Sequence, residues 1–293
     1  VVGAARVIQD LVEQARIAAR SDQPVWITGP EGAGKQHFAR AIHAWSRRSA
    51  GPIVVVSCSA LPADAIGREI FGAAGGDGRD ERPGALARSA NGTLVLAAAD
   101  RLSAPVREAL ARALRDGRFT REGDGAPVPL RARLIATSVP REPRPFGELA
   151  VHEIELPSLV ERREDVLPLA AHFLRIAAEE EGVKAVGFTA DARAALLAEP
   201  WPGNVRELGE RVRQAVRLAG DGAVSAEALL LAADGEDVPS FKEAKRAFET
   251  RYVVGLLRRC NGNISRAARL AKKDRKDFYD VIRRTGVNPA DFR

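Results

Sequence analysis

The stretch "PVWITGPEGAGKQHFARAIHAWS", residues 24–46, constrains the fold more than any other part of the chain. Residues 24–28 are apolar and short, the pattern of a buried strand. Gly29-Pro30-Glu31-Gly32-Ala33-Gly34-Lys35 follows at once, and residues 36–46 continue as a helix. Strand, glycine-rich turn and helix form the context in which G-x-x-x-x-G-K works as a phosphate loop. Glycines at 29, 32 and 34 let backbone N–H groups converge on phosphate oxygens. Lys35 reaches the β- and γ-phosphates, and the helix N-terminus adds partial positive charge. The candidate cofactor is ATP or ADP, held by Gly29, Gly32, Ala33, Gly34, Lys35 and Gln36. The general motif has Ser or Thr after the lysine to meet Mg²⁺; Gln36 offers an amide there instead, so the metal lacks one usual ligand. The competing reading is a glycine-rich turn that binds nothing.

The surroundings extend this start into an α/β fold. Residues 4–20 read as an amphipathic helix with Ile8, Leu11, Val12, Ala15 and Ala18 toward one side. Residues 52–61, 92–99 and 131–138 read as strands, and 103–117 as a helix capped by Ser103 and stopped by Gly117. Almost continuously apolar strands alternating with helices describe a parallel sheet covered on both faces.

One strand raises a question. Phosphate-loop hydrolases place an Asp at a strand end for Mg²⁺ and use a further polar group to position the attacking water. Here "GTLVLAAADRL", residues 92–102, ends its strand in Ala97, Ala98 and Ala99. The first acid, Asp100, comes several residues late and is expected to cap the next turn rather than replace the missing acid. No catalytic residue and no metal ligand is assigned.

Downstream, residues 162–179, 189–199 and 204–218 read as helices, the last capped by Asn204 after the break Pro200-Trp201-Pro202-Gly203. Trp201 is expected to be a core wedge, and residues 220–240 a mostly polar connector around one short helical run. A tail follows. Residues 241–260 form a long helix, "NGN" turns the chain at 261–263, and Ile264, Ala267, Ala268 and Ala271 make a tight inner face on a short helix. A third helix, 274–286, turns Phe278, Val281 and Ile282 inward, with Asp274 as its N-cap and Gly286 as its stop. Alanines let the third helix cross the second closely, which is helix-turn-helix logic.

Charge separates tail from body. The chain carries +6 overall, whereas residues 239–293 hold fifteen Lys/Arg against six Asp/Glu. A basic tail on a slightly acidic body fits a polyanionic partner, and a solvated arginine-rich surface is the alternative. Two cysteines, Cys58 and Cys260, give no disulfide framework and suit a reducing compartment. There is no apolar run of membrane-spanning length and no visible signal peptide, so a cytoplasmic location without membrane attachment is expected. A chain that begins at Val1 and has no methionine reads as a piece of a longer protein.

The order of these segments resembles the AAA+ domain of bacterial enhancer-binding activators, which work with the sigma-54 form of RNA polymerase. "WITGPEGAGKQHFARAIHAWSRRSAGPIVVVSCSALP" is similar to the family's first nucleotide-binding segment. "GTLVLAAADRLSAPVREALARALRDGRF" is similar to its second motif and following helix. "LPSLVERREDVLPLAAHFL" and "WPGNVRELGERVRQAV" match its link to the lid and its lid motif. The resemblance implies an α/β AAA+ subdomain over residues 1–155, a helical lid over 156–235 and an all-α helix-turn-helix domain over 239–293. It implies that Arg206 senses the γ-phosphate.

Several positions depart from the family. Ala97 and Ala98 stand where it carries Asp-Glu, and Ser57 where an asparagine restrains the catalytic glutamate. "GAAGGDGRDERPG" between Phe71 and Gly84 lacks the Phe and Thr of the loop that contacts the sigma factor. Arg141 and Arg144 lie outside the usual setting of the arginines that reach a neighbouring subunit. These departures imply a transcription regulator that binds nucleotide, hydrolyses it poorly or not at all and does not remodel sigma-54. An ATPase using Glu69 or Asp100, and a non-enzymatic adaptor, are the rival readings.

"NGNISRAAR" resembles the DNA-binding domain that these activators share with the nucleoid protein Fis. That implies dimerisation through helix 241–260 and double-stranded DNA beside Arg266, Arg275, Lys276, Tyr279, Arg283 and Arg284. Arginine and lysine there either read guanine edges or hold phosphates. Asp277 and Asp280 depart from the usual reader helix; accepting from cytosine, capping the helix and weakening non-specific binding all remain open. A homodimer is the expected assembly, with the family's ring hexamer as the alternative and RNA polymerase as a further partner.

Overall fold

The computed structural model describes residues 2–74, 82–123, 125–140, 143–231, 250, 252–271 and 273–292. The chain forms two compact units, Val1–Leu229 and Leu230–Arg293.

The first unit is built on five parallel strands: β1 (Val25–Thr28), β2 (Ile53–Ser57), β3 (Thr93–Ala97), β4 (Arg133–Ser138) and β5 (His152–Glu155). Their order across the sheet is β2-β3-β4-β1-β5. Side chains alternate between two buried faces. Trp26, Leu94, Leu96, Leu134 and Ala136 enter one core with Ile66, Ile70 and Leu110, from the helices α3 (Ala63–Phe71) and α4 (Ala104–Asp116). Val25, Ile27, Val95, Ile135 and Ile154 enter the other with Ile8, Leu11, Phe38 and Ile42, from α1 (Arg6–Ala19) and α2 (Lys35–Trp45). A strand buried on both faces is almost continuously apolar; all five residues of β3 are buried, and its one polar residue, Thr93, lies 2.9 Å from His43 Nδ1.

Register brings the strand ends into line. Ser57 pairs with Ala97, and Thr28 with Ser138. The turn that leaves β1 therefore emerges beside the ends of β3 and β4. β5 was not anticipated, because "HEIE" alternates like a half-exposed edge and only its Ile154 is buried.

The lid carries α5 (Val166–Glu181), α6 (Ala190–Ala198) and α7 (Asn204–Ala219). The helix expected from residue 162 starts later. Arg162 has φ −134° and ψ 51°, outside the helical region, within a 3₁₀ segment Val160–Asp165. The connector expected after residue 220 contains a strand, Gly222–Val224, which pairs in parallel with Ala185–Phe188. Trp201 is buried, its indole N–H donates to the Leu196 carbonyl at 2.9 Å, and the Arg211 guanidinium lies over its ring.

In the second unit, residues 252–259 are helical, followed by α8 (Ile264–Leu270) and α9 (Arg275–Thr285). Residues 241–249, the first part of the long tail helix expected from sequence, lie outside the described residues. Val253, Leu257, Ala267, Ala268, Phe278 and Ile282 form one buried cluster. The Asn263 side chain caps α8 by accepting from Arg266 N at 3.0 Å. Asp274 occupies the N-cap position of α9 without a side-chain cap bond, and Gly286 stops the helix at φ 74°.

Candidate functional site

The turn between β1 and α2 adopts backbone that only glycine takes readily. Gly29, Gly32 and Gly34 have φ of 146°, 72° and 102°. A Cβ on Gly32 would stand 2.1 Å from the Gly203 carbonyl oxygen, so here the lid backbone presses on the loop. A Cβ on Gly34 would meet nothing within 4 Å, so that glycine serves conformation alone. Lys35 folds back, with Nζ donating to the carbonyls of Gly29 at 2.5 Å and Pro30 at 2.8 Å. Burial lowers the Lys35 pKa, and the Asp100 carboxylate opposes that shift.

The lid and its link hold the loop from outside. Asn204 Nδ2 donates to the Glu31 carbonyl at 2.8 Å, and its Oδ1 accepts from Leu159 N at 2.7 Å. Arg162, almost fully buried, donates from Nη2 to the Ala33 carbonyl at 2.7 Å. Arg206 N donates to the Gly32 carbonyl, and its guanidinium meets Glu31 at 3.0 Å. Sequence reasoning treated Asn204 as a helix cap. The residue in the cap position is Gly203, and the Asn204 side chain ties lid, link and loop together instead. Arg162 escaped notice altogether, since nothing in "VERRED" distinguishes a buried arginine from its exposed neighbour.

A cavity of about 580 Å³ opens between loop, strand ends and lid. Gly32, Ala33, Gly34, Lys35, Gln36 and Arg206 line it. Gly29 does not line it; a Cβ there would stand 2.6 Å from the Leu156 carbonyl oxygen. The wall at the strand ends is Ser57, Ala97, Ala98 and Ser138. Ser138 Oγ accepts from the Trp26 indole at 2.8 Å. Asp100, expected to do no more than cap a turn, lines this cavity too. Ala98 has φ 55°, and the 3₁₀ turn Ala99–Arg101 that follows places Asp100 and Arg101 on the cavity wall. Asp100 also helps push the Cys58 thiol up to about 11, after burial as the main cause.

Other candidates are occupied elsewhere. Glu69 pairs with Arg88 and does not line the cavity. Arg144 pairs with Glu153 at 2.8 Å and lies over the Trp26 ring. Arg141 and residues 75–81, within the stretch compared with the sigma-contacting loop, lie outside the described residues. The flanking residues Gly72-Ala73 pair antiparallel with Arg82-Pro83.

In the second unit, Arg275, Lys276, Tyr279, Arg283 and Arg284 are all exposed on α9, and Arg266 is exposed on α8. Their helices turn Ala267, Ala268, Phe278, Val281 and Ile282 into the core. The basic groups thus share the outer surface of a packed helical pair. Asp277 and Asp280 are exposed on the same reader helix. Among the described residues, no helix is long and apolar enough to cross a membrane.

Comparison with known proteins accords with this architecture. The sigma-54 interaction domain family matches residues 1–143, and the AAA+ ATPase lid domain family matches residues 160–245. The transcriptional regulatory protein GlrR of Escherichia coli is 35% identical over 298 residues, covering 97% of this chain and 67% of its own length. The nitrogen assimilation regulatory protein NtrX of Azorhizobium caulinodans is 32% identical over 316 residues, covering 98% of this chain and 69% of its own. NtrX of Brucella abortus, solved in complex with ADP, superposes with a TM-score of 0.71 at 28% identity, covering 98% of this chain and 70% of that one. The same protein solved with ATP gives a TM-score of 0.70. The chain spans about two-thirds of the length of these curated relatives. It has a parallel-sheet AAA+ core, a helical lid and further C-terminal helices, and it belongs to the sigma-54 interaction family of bacterial enhancer-binding transcriptional regulators.

Proposed function

We propose that this chain is a DNA-binding transcription regulator whose AAA+ core binds ATP or ADP as a clamp and hydrolyses ATP poorly or not at all. Regulation then proceeds without sigma-54 remodelling. The observation that carries this reading is a preserved phosphate loop facing a strand end made of Ala97 and Ala98. Gly32, Ala33, Gly34, Lys35 and Gln36 would hold the phosphates, with Gly29 shaping the turn and Arg206 reaching from the lid. Nucleotide binding is supported by the related NtrX of Brucella abortus, which was solved with ATP and with ADP. A loop held by Asn204, Arg162 and the Arg206 backbone already unites lid and sheet. A nucleotide in the cavity would add a second bridge between the same elements and stabilise the folded unit by mass action. Loss of groups that position metal and water costs transition-state stabilisation of several kcal/mol, on the order of 3 or more, whereas the binding contacts are separate from them.

The tail would bind double-stranded DNA through Arg266, Arg275, Lys276, Tyr279, Arg283 and Arg284, as a homodimer in the cytoplasm, with RNA polymerase as a further partner. The test is phosphate release from ATP, with and without specific duplex DNA, on the same sample that is titrated with nucleotide. Saturable binding without steady-state turnover supports the reading. Turnover that disappears in Lys35→Ala refutes it.

Asp100 favours one second reading. It lines the cavity, as a displaced catalytic acid would. That reading requires turnover that Asp100→Asn abolishes.

A further inference from the structure

The nucleotide reading leaves a charge to be balanced. In hydrolysing phosphate-loop proteins, Mg²⁺ bridges the β- and γ-oxygens, held by the hydroxyl after the loop lysine and by a strand-end Asp. The residues present here do not fit that ion. Gln36 follows the lysine, and Ala97 and Ala98 end the strand. Asp100 is the carboxylate nearest the strand end, and it is already engaged. Its Oδ2 lies 3.5 Å from Arg101 Nε, and its charge acts on Lys35. Mg²⁺ demands near-octahedral oxygen ligation and dehydrates reluctantly. Asp100, paired with Arg101, serves that demand badly, and the other carboxylates that line the cavity, Glu31 and Glu210, come from the loop and the lid helix rather than from the strand end.

The same cavity is well supplied with fixed cations: Lys35, Arg101, Arg206 and Arg213 all line it. Arg206 and Arg213 arrive from the lid, and each has an acidic partner, Glu31 at 3.0 Å and Glu180 at 3.6 Å. Arg101 comes from the sheet side, directly after the alanines. Its side chain is 70% exposed, and its ion-pair partner among the described residues is Asp100. The left-handed Ala98 turns the chain so that Asp100 and Arg101, not a strand-end acid, supply the charged groups of this wall. A guanidinium presents several N–H donors in a fork that matches phosphate oxygens, and it carries its charge at all relevant pH.

Resting on the reading of this cavity as a nucleotide site, we infer that it takes ATP or ADP without Mg²⁺, and that Arg101 supplies at the phosphates the positive charge that the metal supplies in hydrolysing proteins. Arg101 is then a binding residue, and its guanidinium leaves Asp100 for the phosphates when nucleotide enters.

Calorimetric titration of the full chain with ATP and ADP, once in EDTA and once in excess MgCl₂, tests this. Arg101→Ala, Asp100→Asn and Lys35→Ala are run alongside, with folding checked by circular dichroism. The wild-type chain is expected to bind ATP in EDTA at least as tightly as in Mg²⁺. Arg101→Ala is expected to weaken binding in EDTA about tenfold, which corresponds to about 1.4 kcal/mol. ATP binding that requires Mg²⁺, or that Arg101→Ala leaves unchanged in EDTA, overturns the inference and leaves the nucleotide reading standing. A Mg²⁺-dependent component that Asp100→Asn removes overturns it too, by making Asp100 a metal ligand. Failure of either nucleotide to bind under both conditions refutes the nucleotide reading itself.

Discussion

The side-chain amide of Asn204 donates to the Glu31 carbonyl at 2.8 Å, so the first residue of the lid helix α7 holds the phosphate loop directly. Its other amide atom accepts from Leu159 N at 2.7 Å, which ties in the link between sheet and lid. Asn204 does this from φ 56°, a left-handed conformation that asparagine tolerates better than most residues.

Asn204→Ala loses these bonds, together with a third from Nδ2 to the Pro202 carbonyl at 3.2 Å, and keeps the strain, so a loss of about 2–4 kcal/mol is expected. Asn204→Gly loses the same bonds and relieves the backbone. Urea unfolding followed by tryptophan fluorescence is expected to place the glycine variant between wild type and alanine. Equal losses would assign the whole effect to the hydrogen bonds.

Two glycines of the loop are expected to respond differently to alanine. At Gly32 the new Cβ would meet the Gly203 carbonyl oxygen at 2.1 Å, so the lid must move. At Gly34 it would meet nothing, and only the strained φ of 102° adds a cost. Hydrogen exchange is therefore expected to show faster opening of α7 in Gly32→Ala than in Gly34→Ala. The reverse order would contradict the packing of lid on loop.

His43 gives the sheet unit a pH dependence. It is buried, its Nδ1 lies 2.9 Å from Thr93 Oγ1, and burial lowers its pKa below the ordinary imidazole value. Burial lowers His152 as well. A depressed pKa means that the unfolded chain takes up protons first as pH falls. Stability is thus complete above an imidazole pKa of about 6.5 and declines as pH falls from there through the folded-state value. His43→Asn keeps a polar partner for Thr93 without ionising. Unfolding free energies measured between pH 7.5 and 5 are expected to fall less steeply in that variant than in wild type.

The tail is expected to bind duplex DNA through charge in a way that counts its phosphate contacts. Lys276→Ala or Arg284→Ala, if the residue meets a phosphate, weakens binding to all sequences alike and reduces the slope of log K against log salt by about one. A residue that reads a base edge instead changes sequence preference, at a cost of about 1–3 kcal/mol on the preferred site. Fluorescence anisotropy over a salt series separates the two. Unchanged binding in all six variants, from Arg266 to Arg284, would contradict the assignment of this surface.

The sheet was legible in sequence because strands buried on both faces are nearly continuously apolar, as in "TLVLA", and because glycines at 29, 32 and 34 allow few other folds. The inward face of the tail was legible from small alanines opposite Phe278 and Ile282. What escaped is chiefly long-range. Asn204 has the local signature of a cap, and only the folded loop reveals that it bonds to Glu31, 173 residues away. Arg162 sits among charged neighbours, and the Ala33 carbonyl that it bonds is 129 residues away. Asp100 follows the strand end by three residues in sequence, and nothing local signals that Ala98 turns left-handed and brings it to the cavity. The strands β5 and Gly222–Val224 are short and half-exposed, so neither carries the apolar run by which the others were recognised.

The cavity is expected to hold ATP without consuming it. The most direct measurement loads the full chain with ATP, removes free nucleotide, incubates with and without Mg²⁺ and duplex DNA, then denatures the protein and separates the released nucleotide. Recovery of intact ATP in stoichiometric amount after hours is the expected result. Recovery of ADP and phosphate, at a rate that falls in Lys35→Ala, would contradict it.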